Sequence, residues 1–254
     1  MTPASGKPNG APDAHGIVSM EQPRIVSDLH THTKFSHGKG TPEENVLAAI
    51  SLGLRRIAIS EHGGAHVFFG VRGEKLLRLR REVDRLAAKY ARDIEVLMGY
   101  ECNLTGFGMS DVPKERGMFD VLLLAYHKGI VPKDALARRA TREAFGLGSA
   151  DPVEVANALL AAAEKSRVDI FSHPGAHVRA DIPTLARGAR ELGVFLELNS
   201  AHMSMSVDEV RQAASFGARF VVNSDAHTPS RVGDFARALE LAKQAGVSVE
   251  EWGK

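Results

Sequence analysis

Net charge is nearly absent from this chain: 32 Lys plus Arg stand against 31 Asp plus Glu, leaving +1 over 254 residues. That balance excludes a dominant electrostatic footprint for nucleic acid or an anionic membrane. Aromatic residues are few, at 6%, so no interleaved stacking platform for single strands is visible and long nucleic acid is not an expected partner. Cysteine occurs once, at Cys102, which rules out an intramolecular disulfide. The N-terminus also lacks the apolar core of a secretory signal, so a reducing cytoplasm is the expected compartment. Apolar runs such as VLLLA before Tyr126 fall far short of the roughly 18 residues a membrane-spanning helix needs, and no membrane association is expected. Nothing in the composition sets an oligomeric state.

What remains is the make-up of a globular protein, 44% hydrophobic and 25% charged, long enough for one substantial core. Residues 1–23, rich in Pro, Gly, Ala and small polar residues, read as a flexible tail outside the fold. From Arg24 to the C-terminus, short β-rich runs alternate with segments of helical period, the pattern of parallel strands joined by crossover helices. Strands are expected to end at Leu29, Ser60, Tyr100, Tyr126, Ser172, Asn199 and Ser224. Helices are expected at Pro42 to Leu52, Glu74 to Tyr90, Pro152 to Lys165, Pro183 to Leu192, Val207 to Phe216 and Asp234 to Ala245. The first of these opens with Thr41 as N-cap, Pro at the first turn and Glu44 three residues after the cap. The second places Leu76, Leu79, Val83 and Leu86 on one face. No GxGxxG turn follows the first strand, which favours a closed single-domain barrel over a dinucleotide-binding open sheet.

The sequence holds 11 histidines, and most of them are not scattered. DLHTH (His30, His32) follows strand one, SEHGG (His62) strand two, GYE (Glu101) strand three, AYH (His127) strand four, SHP (His173) strand five and NSDAH (Asp225, His227) strand seven. His37 lies on the loop just after the first pair. The carboxyl ends of parallel barrel strands share one mouth, so these seven histidines and two carboxylates converge. A lone histidine at a strand end is usually a hydrogen-bonded structural residue, but in His-x-His on extended backbone both imidazoles face one side and can grip one ion. Imidazole with carboxylate suits zinc, manganese or iron better than calcium or magnesium. Nine candidates are too many for one ion and suggest two or three, with Glu101 as the best bridging carboxylate.

Taken in order, DLHTHT, SEHG, GYECN, AYHKG, FSHPG, ELN and NSDAHT resemble the PHP (polymerase and histidinol phosphatase) domain family of metal-dependent phosphoesterases. The resemblance implies a distorted (β/α)7 TIM-like barrel and a centre of up to three metals. It further implies that His30, His32, Glu101 and Asp225 hold one ion, Glu101, His127 and His173 a second, and His37, His62 and His227 a third. The activity it implies is hydrolysis of phosphomonoesters of small molecules by metal-activated water, with Glu101, Asp225 and His227 carrying catalysis. His66, Arg179 and Arg231, with Arg72, His177 and His202, follow strand ends and are candidate contacts for the substrate phosphate. Asn199 is expected to make a pocket hydrogen bond, and Cys102 to be a core residue rather than a nucleophile.

Two other readings stand beside this one. The same centre can attack a diester, as in an exonuclease on short oligonucleotides, or the metals can simply stabilise a non-catalytic binding module. An amidohydrolase barrel also starts with His-x-His, but Glu101 and the Asp225-x-His227 pair point away from it. Removal of residues 1–23 is expected to leave the thermal unfolding midpoint and solubility essentially unchanged, because the segment has no apolar face to bury. An insoluble truncated protein would show that the tail is structural.

Overall fold

Alternate residues of parallel strands face opposite ways, and here that alternation builds two separate apolar layers. The computed structural model describes residues 25–253; the expected tail, residues 1–23, lies outside them. Its main sheet is parallel and runs β1 (Ser27–Thr31), β2 (Arg56–His62), β3 (Glu95–Gly106), β5 (Val121–Ala125), β6 (Ile170–Phe171), β7 (Phe195–Asn199), β8 (Phe220–Asn223), with β4 (Met109–Ser110) paired only to β3. Leu29, Ala58, Leu97, Leu123, Ile170, Phe195 and Val221 form a small cluster inside the barrel, with Trp252 against it. A larger cluster lies between the sheet and the helices.

Seven α-helices lie among the described residues: α1 (Pro42–Ser51), α2 (Glu74–Lys89), α3 (Ala135–Ala144), α4 (Pro152–Ser166), α5 (Ile182–Leu192), α6 (Val207–Ser215) and α7 (Ala236–Ala245). Local chemistry starts them where expected. Thr41 and Glu44 close a capping box on α1, Ser206 and Glu209 close another on α6, and Asp151 and Asp181 cap α4 and α5. Helix α2 buries Leu76, Leu79, Val83 and Leu86 and turns its Arg-rich face outward. None of these helices is long and apolar enough to cross a membrane.

All seven expected main-sheet strands are present, and the differences have physical causes. Strand β3 runs on past Tyr100 to Gly106 and folds back onto β4, so Glu101 sits within a strand rather than at its end. Helix α3 was not expected: its ten residues contrast apolar and charged faces strongly, but its buried face of Ala137, Ala140 and Ala144 holds one large apolar side chain, Leu136, and lacks the leucine and valine spacing that marks α2. Asp134 caps it through the Ala137 N–H.

Closure between β8 and β1 is made by side chains and one bridge rather than by a full ladder. The Leu29 N–H donates to Asn223 Oδ1 at 2.8 Å, and the His32 N–H donates to the Ala226 carbonyl at 2.8 Å. Asp28, wholly buried, accepts from the Ser224 hydroxyl and from the Gly233 N–H at 2.9 Å.

Strand β1 also carries a one-residue irregularity: Asp28 pairs with Ile57 but Thr31 with Ile59. Such a bulge shifts the phase of the side chains. Leu29 fills the barrel interior below it, and His30 and His32 face the interior above it. Midway up, Gly99 lies against Ser60, whose hydroxyl donates to the Leu29 carbonyl at 2.7 Å. A methyl group on Gly99 would fall 2.0 Å from Ser60 Oγ. Gly99→Ala is therefore expected to lower stability by about 1–3 kcal/mol, read as a drop in the denaturant midpoint, and an unchanged midpoint would refute this account of the packing.

Candidate metal centre

On each strand, the inward phase that begins with an apolar residue ends at the carboxyl mouth with a polar one. Leu97 leads to Glu101, Ala58 to His62, Leu123 to His127, Phe195 to Glu197 and Val221 to Asp225. Two loops complete the set by adopting backbone that L-residues avoid: His173 has φ 29° and Asp225 φ 53°. Such conformations persist only where the surrounding structure imposes them.

Glu101 is the centre of the arrangement and is fully buried. Its Oε1 lies 2.8 Å from His173 Nε2, 3.1 Å from His127 Nε2 and 3.3 Å from His30 Nε2. Its Oε2 lies 2.9 Å from His62 Nδ1 and 3.5 Å from His32 Nε2. Asp225 Oδ1 stands 3.2 Å from His32 Nε2 and 3.5 Å from His30 Nε2.

Ligand atoms gather in four overlapping groups, each within 4.8 Å: His32, His62 and His227; His30, His32 and Glu101; His30, His173 and Asp225; His62, Glu101 and His127. Eight of the nine expected residues belong to these groups. The ninth, His37, is exposed at the rim, its ring stacked on Phe69 at 4.4 Å and 4.3 Å from the His227 ring.

Two observations test whether a cation fits. First, His32 Nδ1, His62 Nδ1, Glu101 Oε2 and Asp225 Oδ1 are buried and make no well-aligned hydrogen bond, although His62 Nδ1 and Glu101 Oε2 lie 2.9 Å apart, a costly state for polar atoms unless something else satisfies them. Second, the buried carboxylates demand positive charge. Burial alone would raise Glu101, but the His127 and His30 imidazoles hold it well below the usual carboxylate range. Burial likewise opposes ionisation of Asp225, and His30 and His32 hold it well below normal.

The reciprocal effect falls on the histidines. Against burial, which would lower it, His30 is held well above its ordinary value by Asp225 and Glu101, and His32 is raised to about 9 by Asp225 and Glu61. A divalent ion answers the same demand while releasing those protons. Burial, with neighbouring imidazoles, lowers His62 and brings His227 to about 4, so both are neutral and competent to ligate.

A shell of polar residues behind the cluster orients its side chains, and most of it is absent from the expected site residues. Glu197 accepts from His30 Nδ1 at 2.9 Å, the His173 N–H at 2.8 Å, Asn199 Nδ2 at 2.8 Å and Asn223 Nδ2 at 2.8 Å. Asn103 Oδ1 accepts from His127 Nδ1 at 2.8 Å. In a neutral imidazole this leaves the other nitrogen as the acceptor, aimed at the cluster. Glu61 ties down the loop after β1 through Thr33 and Ser36. The available signal was phase: Glu197 and Asn103 each share the inward alternation of an apolar strand. Asn199 makes the expected pocket hydrogen bonds, to Glu197 and Asp225. Cys102 is buried in the core.

The candidate phosphate contacts divide. His66, His177 and His202 line the cavity of about 390 Å³ over the cluster. Arg179 and Arg231 do not: Arg179 pairs with Glu143 at 3.1 Å and Arg231 with Asp234 at 2.6 Å. Each loop turns its arginine to a nearby acid instead. Arg72 is likewise engaged, by the Gly64 carbonyl at 2.6 Å. His66 holds two loops together, accepting from the Phe69 N–H at 3.2 Å and bonding the Lys128 backbone.

A PHP domain family model matches residues 28–200, more than half of the chain. The chain belongs to the PHP domain family. A Thermoanaerobacter sp. protein named as a probable phosphatase is 29% identical over 89% of this PHP chain and 88% of its own length. The DNA polymerase/3'-5' exonuclease PolX of Bacillus subtilis is 25% identical over 90% of this chain but 39% of its own. Among solved structures, the histidinol phosphate phosphatase of Lactococcus lactis, complexed with zinc, L-histidinol and phosphate, has the same fold. Its TM-score is 0.57 at 17% identity, over 88% of this chain and 95% of that one.

Because Glu197 fixes the tautomer of His30 in this PHP barrel, Glu197→Ala is expected to weaken metal retention about 10–100-fold. Competition with a chromogenic chelator measures it, and retention equal to that of the wild type would remove Glu197 from any orienting role.

Proposed function

We propose that this PHP protein is a metal-dependent phosphoesterase that hydrolyses phosphomonoesters of small molecules. The observation that carries the reading is the meeting of five imidazoles on one buried carboxylate, Glu101, with unpartnered ligand atoms around it. Family membership and relatives named as phosphatases support it. In this reading two or three divalent ions, zinc, manganese or iron, are held by His30, His32, His62, Glu101, His127, His173, Asp225 and His227, with His37 on the outer side and Glu101 shared between ions. A cytoplasmic location suits a chain whose single cysteine is free and buried.

When bound, the ions supply Lewis-acid polarisation of a phosphoryl oxygen and a lowered pKa for water. The chain's own residues do the rest. Glu101 and Asp225 stay ionised and bring several imidazoles to one place. Glu197 and Asn103 hold His30 and His127 in the tautomer that ligates. The walls of the cavity admit the ester from one side, so the phosphate meets the ligand set at the floor while the remainder of the substrate stays toward the rim. Lys128, on the same wall, places a cation where a dianionic ester enters.

Metal-reconstituted protein is expected to turn over a phosphomonoester faster than a dinucleotide or short oligonucleotide, and chelation should abolish turnover. Glu101→Ala should retain clearly less metal by elemental analysis and lose activity by orders of magnitude, while Arg179→Ala should change neither. Full metal content and turnover in Glu101→Ala would refute the bridging role, and higher kcat/KM on oligonucleotides would overturn the monoesterase reading.

A further inference from the structure

Part of the wall above the floor of the cavity is apolar. Phe68, Phe69 and Phe145 line it, and their exposures are 79%, 37% and 57%. Among the described residues only one other phenylalanine, Phe107, is comparably exposed. Three of the four therefore sit at one cavity, although they come from two loops far apart in the chain. Exposed aromatics gathered at a concave site mark a place where something apolar binds.

Their exposure is built rather than incidental. The loop carrying Phe68 and Phe69 is pinned along its length: the Gly64 N–H donates to the Tyr100 hydroxyl at 2.7 Å, the Ala65 N–H to Asp111 Oδ2 at 2.7 Å, and the Val67 N–H to the Gly129 carbonyl at 2.9 Å. It closes on itself through the Gly70 N–H and the His66 carbonyl at 3.0 Å. A Cβ on Gly70 would lie 2.5 Å from that carbonyl oxygen, so the turn tolerates no side chain there. Phe69 is further held by its stack on His37. Phe145 is the C-terminal cap of α3, its N–H bonded to the last turn of that helix.

Charge narrows the occupant. Among the described residues the only carboxylates on the cavity wall are Glu101 and Asp225, both committed to the cluster, while Lys128 contributes a cation. No free carboxylate there pairs with an ammonium group, and Lys128 repels one. The volume, about 390 Å³, lies at the small end of ligand pockets and suits a phosphate and one ring.

Resting on the phosphomonoesterase reading above, we propose that Phe68, Phe69 and Phe145 form a subsite for the leaving group, selecting phosphomonoesters whose alcohol carries an uncharged aromatic ring and no ammonium. The ring packs against the phenyl groups while the phosphate reaches the floor.

Three esters of primary alcohols separate the contributions: 3-phenylpropyl phosphate, propyl phosphate, and 2-amino-3-phenylpropyl phosphate. With metal-loaded wild type, 3-phenylpropyl phosphate should show the lowest KM, about tenfold or more below the other two. Phe68→Ala and Phe145→Ala, both on the surface, should raise its KM toward that of propyl phosphate and change the propyl phosphate constants much less. Equal KM for the phenyl and propyl esters, or a phenylalanine variant that affects both alike, would overturn the ring subsite. A preference for the amino ester would overturn the exclusion of ammonium. Calorimetric titration with 3-phenylpropylphosphonate and propylphosphonate reads the subsite without turnover. Tighter binding of the phenyl compound, lost in Phe68→Ala, upholds the subsite even if no ester is hydrolysed, in which case the activity reading alone fails. Equal binding overturns the subsite whatever the turnover.

Discussion

A carboxylate with no access to water must be matched by positive charge, and Glu101 is placed where five imidazoles meet it. Burial of a lone carboxylate is unfavourable enough that the group would normally take up a proton. Here the ring of histidines keeps it ionised, and the carboxylate in turn keeps the histidines close. Much of the mouth of the barrel can be understood as the geometry this mutual demand requires. The bulge in β1 turns both His30 and His32 inward, and the left-handed backbone at His173 and Asp225 lets two loops reach the same point. Both devices cost local stability, and the packed barrel below holds them in place.

That barrel is divided by height. At the amino end of the strands, apolar side chains fill the interior with Trp252 against them. Midway, small residues such as Gly99 and Ser60 let the strands approach. At the carboxyl end every inward position is polar. Behind the ligands lies a layer of hydrogen-bonding residues, Glu197, Asn103, Asn199 and Asn223, whose roles are orientation and charge compensation. Glu197 shows the economy of this layer, since one carboxylate orients His30, holds the His173 backbone and anchors two asparagines. The rim is different again, and its phenylalanines face outward on loops whose backbones are tightly bonded. The histidine and carboxylate cluster at the floor and the phenylalanines at the rim are thus two layers of one mouth.

Much of this was legible in the residues themselves. Strand phase and strong caps are local properties: Thr41 with Glu44, or Asp151 before Pro152, start a helix whatever the rest of the chain does. The site motifs were legible because histidine is uncommon and its placement at five strand ends is a pattern that chance does not supply. Helix α3 escaped because it is short and has one large apolar residue, Leu136, on its buried face, and the extension of β3 because its outer half reads as a turn-rich segment until β4 pairs with it. Arg179 and Arg231 looked available for phosphate only because sequence does not say which acid a flexible arginine will find. Glu143 and Asp234 claim them.

The sequence by itself therefore determined the alternation of strand and helix, the inward phase of each strand and the inventory of groups able to bind metal, because these depend on neighbours a few residues away. Which ligands share a group, the place of His37 at the rim, the four-way role of Glu197 and the gathering of Phe68, Phe69 and Phe145 were decided only by the tertiary structure. Each of these depends on atoms from strands and loops separated by tens to hundreds of residues. Their distances are set when the sheet curls until β8 meets β1, and no local pattern records that event.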